Sequence, residues 1–193
     1  MLFDKEYWNE KYLQDSAGWD IGYASTPLVE YFSQLADKNL RILIPGCGNA
    51  YEAEYLVDNG FTNVFLIDWS EAALSNFKKK VHHIPDSHLF CGNFFEHKGE
   101  YDLIIEQTFF CAINPSERKN YAKKSHELLA GGGKLVGLLF DDPLNDDHPP
   151  FGGNKAEYVE YFKPYFELKV FERAYNSIEP RAGRELFILL VKK

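Results

Sequence analysis

Three residues in the amino-terminal half of the chain have the types and spacing to seat a nucleotide. A short apolar run, Ile42-Leu-Ile-Pro45, breaks at Gly46-Cys47-Gly48, and an amphipathic segment with Glu52 near its start follows. Glycine lacks a Cβ, so a strand that ends in Gly-x-Gly and leads into a helix leaves backbone N–H groups and a helix N-terminus facing open space. Asp68 closes the next apolar run about 20 residues on, where a carboxylate can accept hydrogen bonds from ribose hydroxyls. The position of a third glycine, needed where a helix packs against a pyrophosphate, is held by Tyr51. A tyrosine there crowds a dinucleotide but leaves room for a nucleoside ligand without phosphates, such as S-adenosylmethionine.

Other candidate chemistry is sparse. No Ser-His-Asp or Cys-His arrangement stands out, and His82 and His83 adjoin each other, so they lack the i, i+4 spacing that puts two ligands on one helical face. The acids of DDPLNDDH do not follow a calcium-loop register, so no metal is expected. Cys47 sits where a small side chain is reason enough for it. For an acceptor that needs deprotonation, the candidate bases are Glu106 at the end of a strand-like run, Tyr23, and His148 in a long irregular loop. Arg118 is expected to pair with an acid on its own helix, and the run Lys78 to Lys80 to be the solvated end of a helix.

These residues need a scaffold, and the pattern of the chain supplies one. From Leu40, short apolar runs alternate with amphipathic segments: RILIP, a helix from Tyr51, NVFLID, a helix from Glu71, HLFC, YDLIIE, a helix from about Pro115, KLVGLLF and a helix around Lys155 to Phe162. That alternation predicts parallel βαβ units. Phe166 to Tyr175 and Arg184 to Val191 are separated only by NSIEPRAG, too short for a helical crossover, so they should pair antiparallel. Ahead of the core, helical spacing of Tyr7, Trp8, Tyr12 and Leu13 predicts one helix, and Thr26-Pro27 starts another. One domain is expected over residues 1–193, with 1–38 a helical cap over the site and 39–193 the core.

The 193 residues are 45% hydrophobic and 16% aromatic, enough for one substantial core. A formal net charge of -8 argues against tracking nucleic acid phosphates, which takes clustered Lys and Arg. No apolar run approaches the length of a membrane span, and the acidic, aromatic N-terminus is unlike a signal peptide. Three cysteines without paired metal spacing fit a reducing cytoplasm. A small-molecule partner is expected, and a monomer or weak homodimer.

The words WNEKYLQDSAGWDIG, LIPGCGNAYE, LIDWSEAAL, GNFF, YDLIIEQTFFCAINPSERKNYA, LLAGGGKLVGLLF and HPPF, in that order, resemble the class I S-adenosylmethionine-dependent methyltransferases, within them the thiopurine S-methyltransferase-like branch that includes thiol and halide enzymes. The resemblance implies a Rossmann-like α/β fold, a seven-stranded mostly parallel sheet with an antiparallel last strand and helices on both faces. It implies that Gly46 touches the methionine part of the cofactor and Asp68 its ribose, with Gly48, Trp69 and Glu106 on the cofactor side. Asn93 and Phe94 match the adenine pair, and Trp8, Tyr12 and Trp19 match an aromatic set that closes over the cofactor. Gln107, Phe110 and Phe151 fall on the acceptor side. This chain has Glu52, Glu106 and Asn93 where the family commonly has Asp, and Gln107 where thiopurine enzymes carry Arg and thiol or halide enzymes an aromatic residue. The implied reaction is methyl transfer to a thiol, thiopurine or halide. An NAD-dependent oxidoreductase and a non-catalytic binding protein are the alternatives.

Overall fold

The computed structural model describes residues 3–14, 16 and 18–193. Met1, Leu2, Asp15 and Ala17, the last two within WNEKYLQDSAGWDIG, lie outside the described residues. The strands are β1 (Ile42–Pro45), β2 (Val64–Asp68), β3 (Leu89–Cys91), β4 (Tyr101–Gln107), β5 (Leu129–Phe140), β6 (Phe166–Arg173) and β7 (Glu185–Lys192). They form one sheet in the order β3-β2-β1-β4-β5-β7-β6. The helices are α1 (Lys5–Leu13), α2 (Thr26–Ser33), α3 (Tyr51–Asp58), α4 (Glu71–Lys80), α5 (Arg118–Leu128) and α6 (Lys155–Phe162).

Every residue of β1 and β2 is buried, as continuous apolar runs require when helices cover both faces. Alternation along β1 divides its side chains. Ile42 and Ile44 join Leu28, Phe32, Ala53, Leu56, Leu74 and Phe77 from α2, α3 and α4, while Leu43 joins Tyr121, Ala122 and Phe162 from α5 and α6. The pairs β1–β2, β1–β4, β2–β3 and β4–β5 are parallel. As expected from the short NSIEPRAG link, β6 and β7 pair antiparallel. The return strand β7 also inserts between β6 and β5 and runs antiparallel to β5, with Lys134 opposite Val191 and Phe140 opposite Glu185.

Strand order reverses direction between β1 and β4, so their carboxyl ends open a crevice where open α/β sheets bind ligands. Gly46, Asp68 and Gln107 all stand at or just beyond the carboxyl ends of these central strands. The segment ahead of β1 divides physically. α2 buries Pro27, Leu28, Tyr31 and Phe32, whereas α1 has no buried residue and lies over the crevice mouth. No helix among the described residues is long and apolar enough to cross a membrane.

Candidate active site

The turn after β1 takes a conformation that L side chains avoid. Gly46 and Gly48 have φ of 56° and 52°, and Ala50, which caps α3, has φ of 54°. A Cβ on Gly46 would enter the Phe109 ring, and one on Gly48 would meet the Tyr12 hydroxyl. These two glycines are therefore required twice over, by backbone conformation and by the close approach of side chains that line the cleft. Gly46 N–H donates to the Ile67 carbonyl at 2.8 Å, which fixes the turn against β2.

Asp68 ties the same turn from the β2 side. One carboxylate oxygen accepts from Gly48 N–H at 2.9 Å and the other from Ser70 N–H at 2.8 Å. Burial raises its pKa, while the backbone donors of Ser70, Gly48 and Trp69 oppose that shift. With those backbone donors in place the carboxylate keeps acceptor capacity for a ribose hydroxyl.

The amino-terminal segment is fastened by polar contacts instead of a buried helical face. Asn9 Oδ1 accepts from Ala72 N–H at 3.0 Å and from the Ser70 hydroxyl at 3.1 Å, joining α1 to the start of α4. Trp8 meets Trp19 edge-on at 5.4 Å between centroids, and Tyr12 meets Trp19 at 6.1 Å. Burial, with Asp68 nearby, holds the Tyr12 hydroxyl far above its ordinary pKa, so it stays neutral. Past Trp19, its carbonyl accepts from Arg181 Nη2 at 2.8 Å, and Asp20 accepts from Asn49 and from the Tyr51 hydroxyl at 3.2 Å. Tyr51 thus anchors the cap at the helix position where a dinucleotide fold has its third glycine.

On the β4 side, Glu106 is 0% exposed and does not line the cleft. One of its oxygens accepts from Phe109 N–H at 2.8 Å and Phe110 N–H at 2.9 Å, the other from the Tyr121 hydroxyl at 2.6 Å. Burial pushes its pKa up to about 7 against those three donors. Glu106 is corrected from a base facing the acceptor to a carboxylate that shapes the floor from below. The same turn decides between two phenylalanines. Thr108 at φ 60° redirects the chain so that Phe109 lines the cleft, and Phe110, 2% exposed, packs beneath it against Tyr121, Tyr158 and Phe162. His148 is likewise off the cleft. It is exposed and bound to Asp147 at 2.6 Å, while its neighbours Asp147 and Pro149 line the wall.

The cleft has a volume of about 1090 Å³. Trp8, Tyr12, Trp19, Tyr23, Gly46, Gly48, Asp68, Trp69, Asn93, Phe94, Gln107 and Phe151 all line it, so the structure brings together most of the positions picked from sequence. Tyr23 is 51% exposed, at the rim. Asn93 accepts from Phe95 N–H at 3.0 Å, and Phe94 packs edge-on against Phe109. Among the described residues, Gln107 Oε1 is buried without a partner. Sequence reasoning missed Asp20, Asn49, Phe109 and Arg181. Asp20 and Arg181 act through partners 29 to 162 residues away, and no local pattern carries that signal.

The ionic character of the crevice discriminates between nucleotides. Asp20, Glu52 and Asp68 all line it around the glycine turn. Glu52, which accepts from Ser25 N–H at 2.9 Å, is raised by burial. These carboxylates beside the glycine turn disfavour a pyrophosphate and suit a ligand with a sulfonium and an ammonium, while Arg181 and Arg184 also line the cleft. The residues present at the turn therefore fit S-adenosylmethionine better than a dinucleotide.

The sequence profile of the thiopurine S-methyltransferase family matches residues 3–188. Thiocyanate methyltransferase 1 of Brassica oleracea is 30% identical over 185 residues, covering 92% of this chain and 81% of that protein. The probable thiol methyltransferase 2 of Arabidopsis thaliana is 29% identical with the same coverage. The crystal structure of the 1,6-didemethyltoxoflavin-N1-methyltransferase of Burkholderia thailandensis superposes with a TM-score of 0.78 at 16% identity, over 98% of this chain and 87% of that one. With the fold, the glycine turn and the carboxylate-lined crevice in agreement, the chain belongs to the thiopurine S-methyltransferase family and is an S-adenosylmethionine-dependent methyltransferase.

Proposed function

We propose that the acceptor is a small soft nucleophile, with thiols first and thiopurines and halides in the same class. The observation that carries this reading is that the two buried carboxylates lining the cleft among the described residues, Glu52 and Asp68, are both engaged beside the glycine turn, by Ser25 N–H and by Gly48 and Ser70 N–H. Glu106 lies under the floor, and the Cys111 thiol at the cleft wall is pushed up to about 12 by burial, so it stays protonated. Asp147, on the rim, is held below its usual range by His148 and is a weak base. An acceptor that arrives with an available sulfur or halide lone pair needs no base. The names of the relatives, which act on thiols and thiocyanate, support the same choice.

Bound S-adenosylmethionine would supply an electrophilic methyl group on a sulfonium, with S-adenosylhomocysteine as the leaving group when the acceptor takes the methyl. The chain contributes alignment, which can supply several kcal/mol toward a ceiling of about 7–11. Asp68 holds the ribose, and the turn through Gly46 and Gly48 seats the methionine part. Asn93, Phe94 and Trp69, which line the cleft, would hold the adenosyl part, with Asn93 and Phe94 at the adenine. Trp8, Tyr12 and Trp19, in the cap of residues 1–38, cover the cofactor and exclude water. Gln107, Phe109 and Phe151 wall the acceptor end. Three free cysteines, Cys47, Cys91 and Cys111, fit a cytoplasmic setting.

The test is turnover with a panel of alkyl and aryl thiols, a thiopurine, iodide and thiocyanate, measuring S-adenosylhomocysteine and methylated product together. Equal amounts of both, with the highest kcat/KM on a sulfur acceptor, are expected. Methylation of oxygen or nitrogen acceptors alone would overturn the reading.

A further inference from the structure

Arg118 opens α5 and is 1% exposed, the largest fully buried side chain among the described residues. A guanidinium out of water is costly unless its donors are met. The expected acid on its own helix does not meet them, because Glu127 faces Lys123 and Lys124 instead. The nearest carboxylate, Glu157 of α6, is 3.9 Å away. Arg118 Nη1 donates to the Gly152 carbonyl at 2.8 Å and Nη2 to the Phe151 carbonyl at 3.2 Å, and Phe110 and Tyr158 present their rings to the guanidinium at 4.9 and 5.4 Å. Arg118 itself does not line the cleft.

The loop it grips, residues 141–154, walls the acceptor end through Leu144, Pro149, Pro150 and Phe151. Its start is pinned by Asp141 to Arg173 at 2.7 Å and by Asp142 to Arg184. At its far arm, Phe151 N–H donates to the Cys111 carbonyl at 2.7 Å, and the Phe151 ring, 3% exposed, meets Phe3 at 6.0 Å. Two successive carbonyls of that arm end on one planar fork, a geometry lysine cannot reproduce.

We propose that Arg118 is a positioning residue for the acceptor: by holding the Phe151 and Gly152 carbonyls it fixes the far arm of the loop, so that the Phe151 ring walls the acceptor end of the cleft. This rests on the function proposed above. Hydrogen exchange of residues 145–153 tests the strut without any acceptor. In Arg118→Met these amides should exchange at least tenfold faster while β1, β2 and β4 are unchanged. With a turned-over thiol, the acceptor KM should rise at least tenfold with S-adenosylhomocysteine affinity within twofold of the parent. Phe151→Ala, which keeps the strut, should raise the acceptor KM in the same way. Arg118→Lys, which keeps the charge and loses the fork, should fall between parent and Arg118→Met, and it carries the test if the methionine variant does not fold. Unchanged loop exchange, or acceptor and cofactor affinities falling together with thermal stability, would overturn the proposal. If the parent protein methylates no soft acceptor, the functional reading fails, and the exchange data alone decide the role of Arg118.

Discussion

Replacing Gly46 with alanine asks two things of the structure at once. The residue sits at φ 56°, where a side chain costs about 1–2 kcal/mol, and its new Cβ would enter the Phe109 ring. Forcing a methyl into a packed site adds about 1–3 kcal/mol, so a loss of about 2–5 kcal/mol is expected. For a domain of this size each kcal/mol moves Tm by about 2–4 °C, which predicts a fall of roughly 4–20 °C. Gly132→Ala is the control. Gly132 has φ of 73° with open space where a Cβ would go, so only the backbone part, about 1–2 kcal/mol, applies. In a Phe109→Ala background the ring atoms at 2.2 and 2.5 Å from that Cβ are gone while the Phe109 Cβ at 2.8 Å remains, so the steric part of the Gly46→Ala cost shrinks, giving a coupling of up to about 1–3 kcal/mol between the two sites. Thermal unfolding of the four proteins in this cycle measures it. Additivity within about 0.5 kcal/mol would mean that the Phe109 ring is not what excludes a side chain at Gly46, and the floor of the cleft is wrongly described.

Three further outcomes are expected. Asp68→Asn keeps the volume but removes the charge and presents an NH₂ to one of two backbone donors; S-adenosylhomocysteine binding should weaken by roughly 1.5–3 kcal/mol, about 10- to 150-fold by titration, and an unchanged Kd would remove Asp68 from the ribose. With no enzyme base at the acceptor, the inflection of kcat/KM against pH should move with the pKa of each thiol tested; one inflection common to thiols of different acidity would show that a protein group takes the proton. Glu106 binds its proton more tightly in the native state than in the unfolded chain, so its contribution to stability is full below about pH 4.5 and is lost as pH rises to about 7. Glu106→Gln should flatten that part of the profile in denaturant midpoints measured from pH 4.5 to 8, and an identical slope in both proteins would show that Glu106 does not titrate in that window.

The glycine turn, Asp68 and the alternating core were legible because each depends on neighbours close in sequence. A strand, a turn and a helix N-terminus carry their own pattern, and the antiparallel β6–β7 pair followed from the length of one linker. What failed to show was determined by folding at a distance or by a single dihedral angle. Thr108 at φ 60° turns Phe109 into the cleft and Phe110 under it, and nothing in TFFC distinguishes the two rings. Glu106 has the type and the strand-end position of a catalytic carboxylate, but two amides and Tyr121 claim both its oxygens. Arg118 meets carbonyls 33 and 34 residues away instead of the expected acid on its own helix, and backbone acceptors leave no trace in sequence. His148 missed the cleft by one position, since Asp147 and Pro149 on either side of it line the rim and wall.

The most direct test of the cofactor seat is isothermal titration of the purified protein with S-adenosylhomocysteine, with NADH as comparator. Saturable binding near 1:1 for the first and none for the second is the predicted result. NADH binding with no heat from S-adenosylhomocysteine would contradict the assignment of the Gly46 turn and Asp68 to an adenosyl sulfonium cofactor.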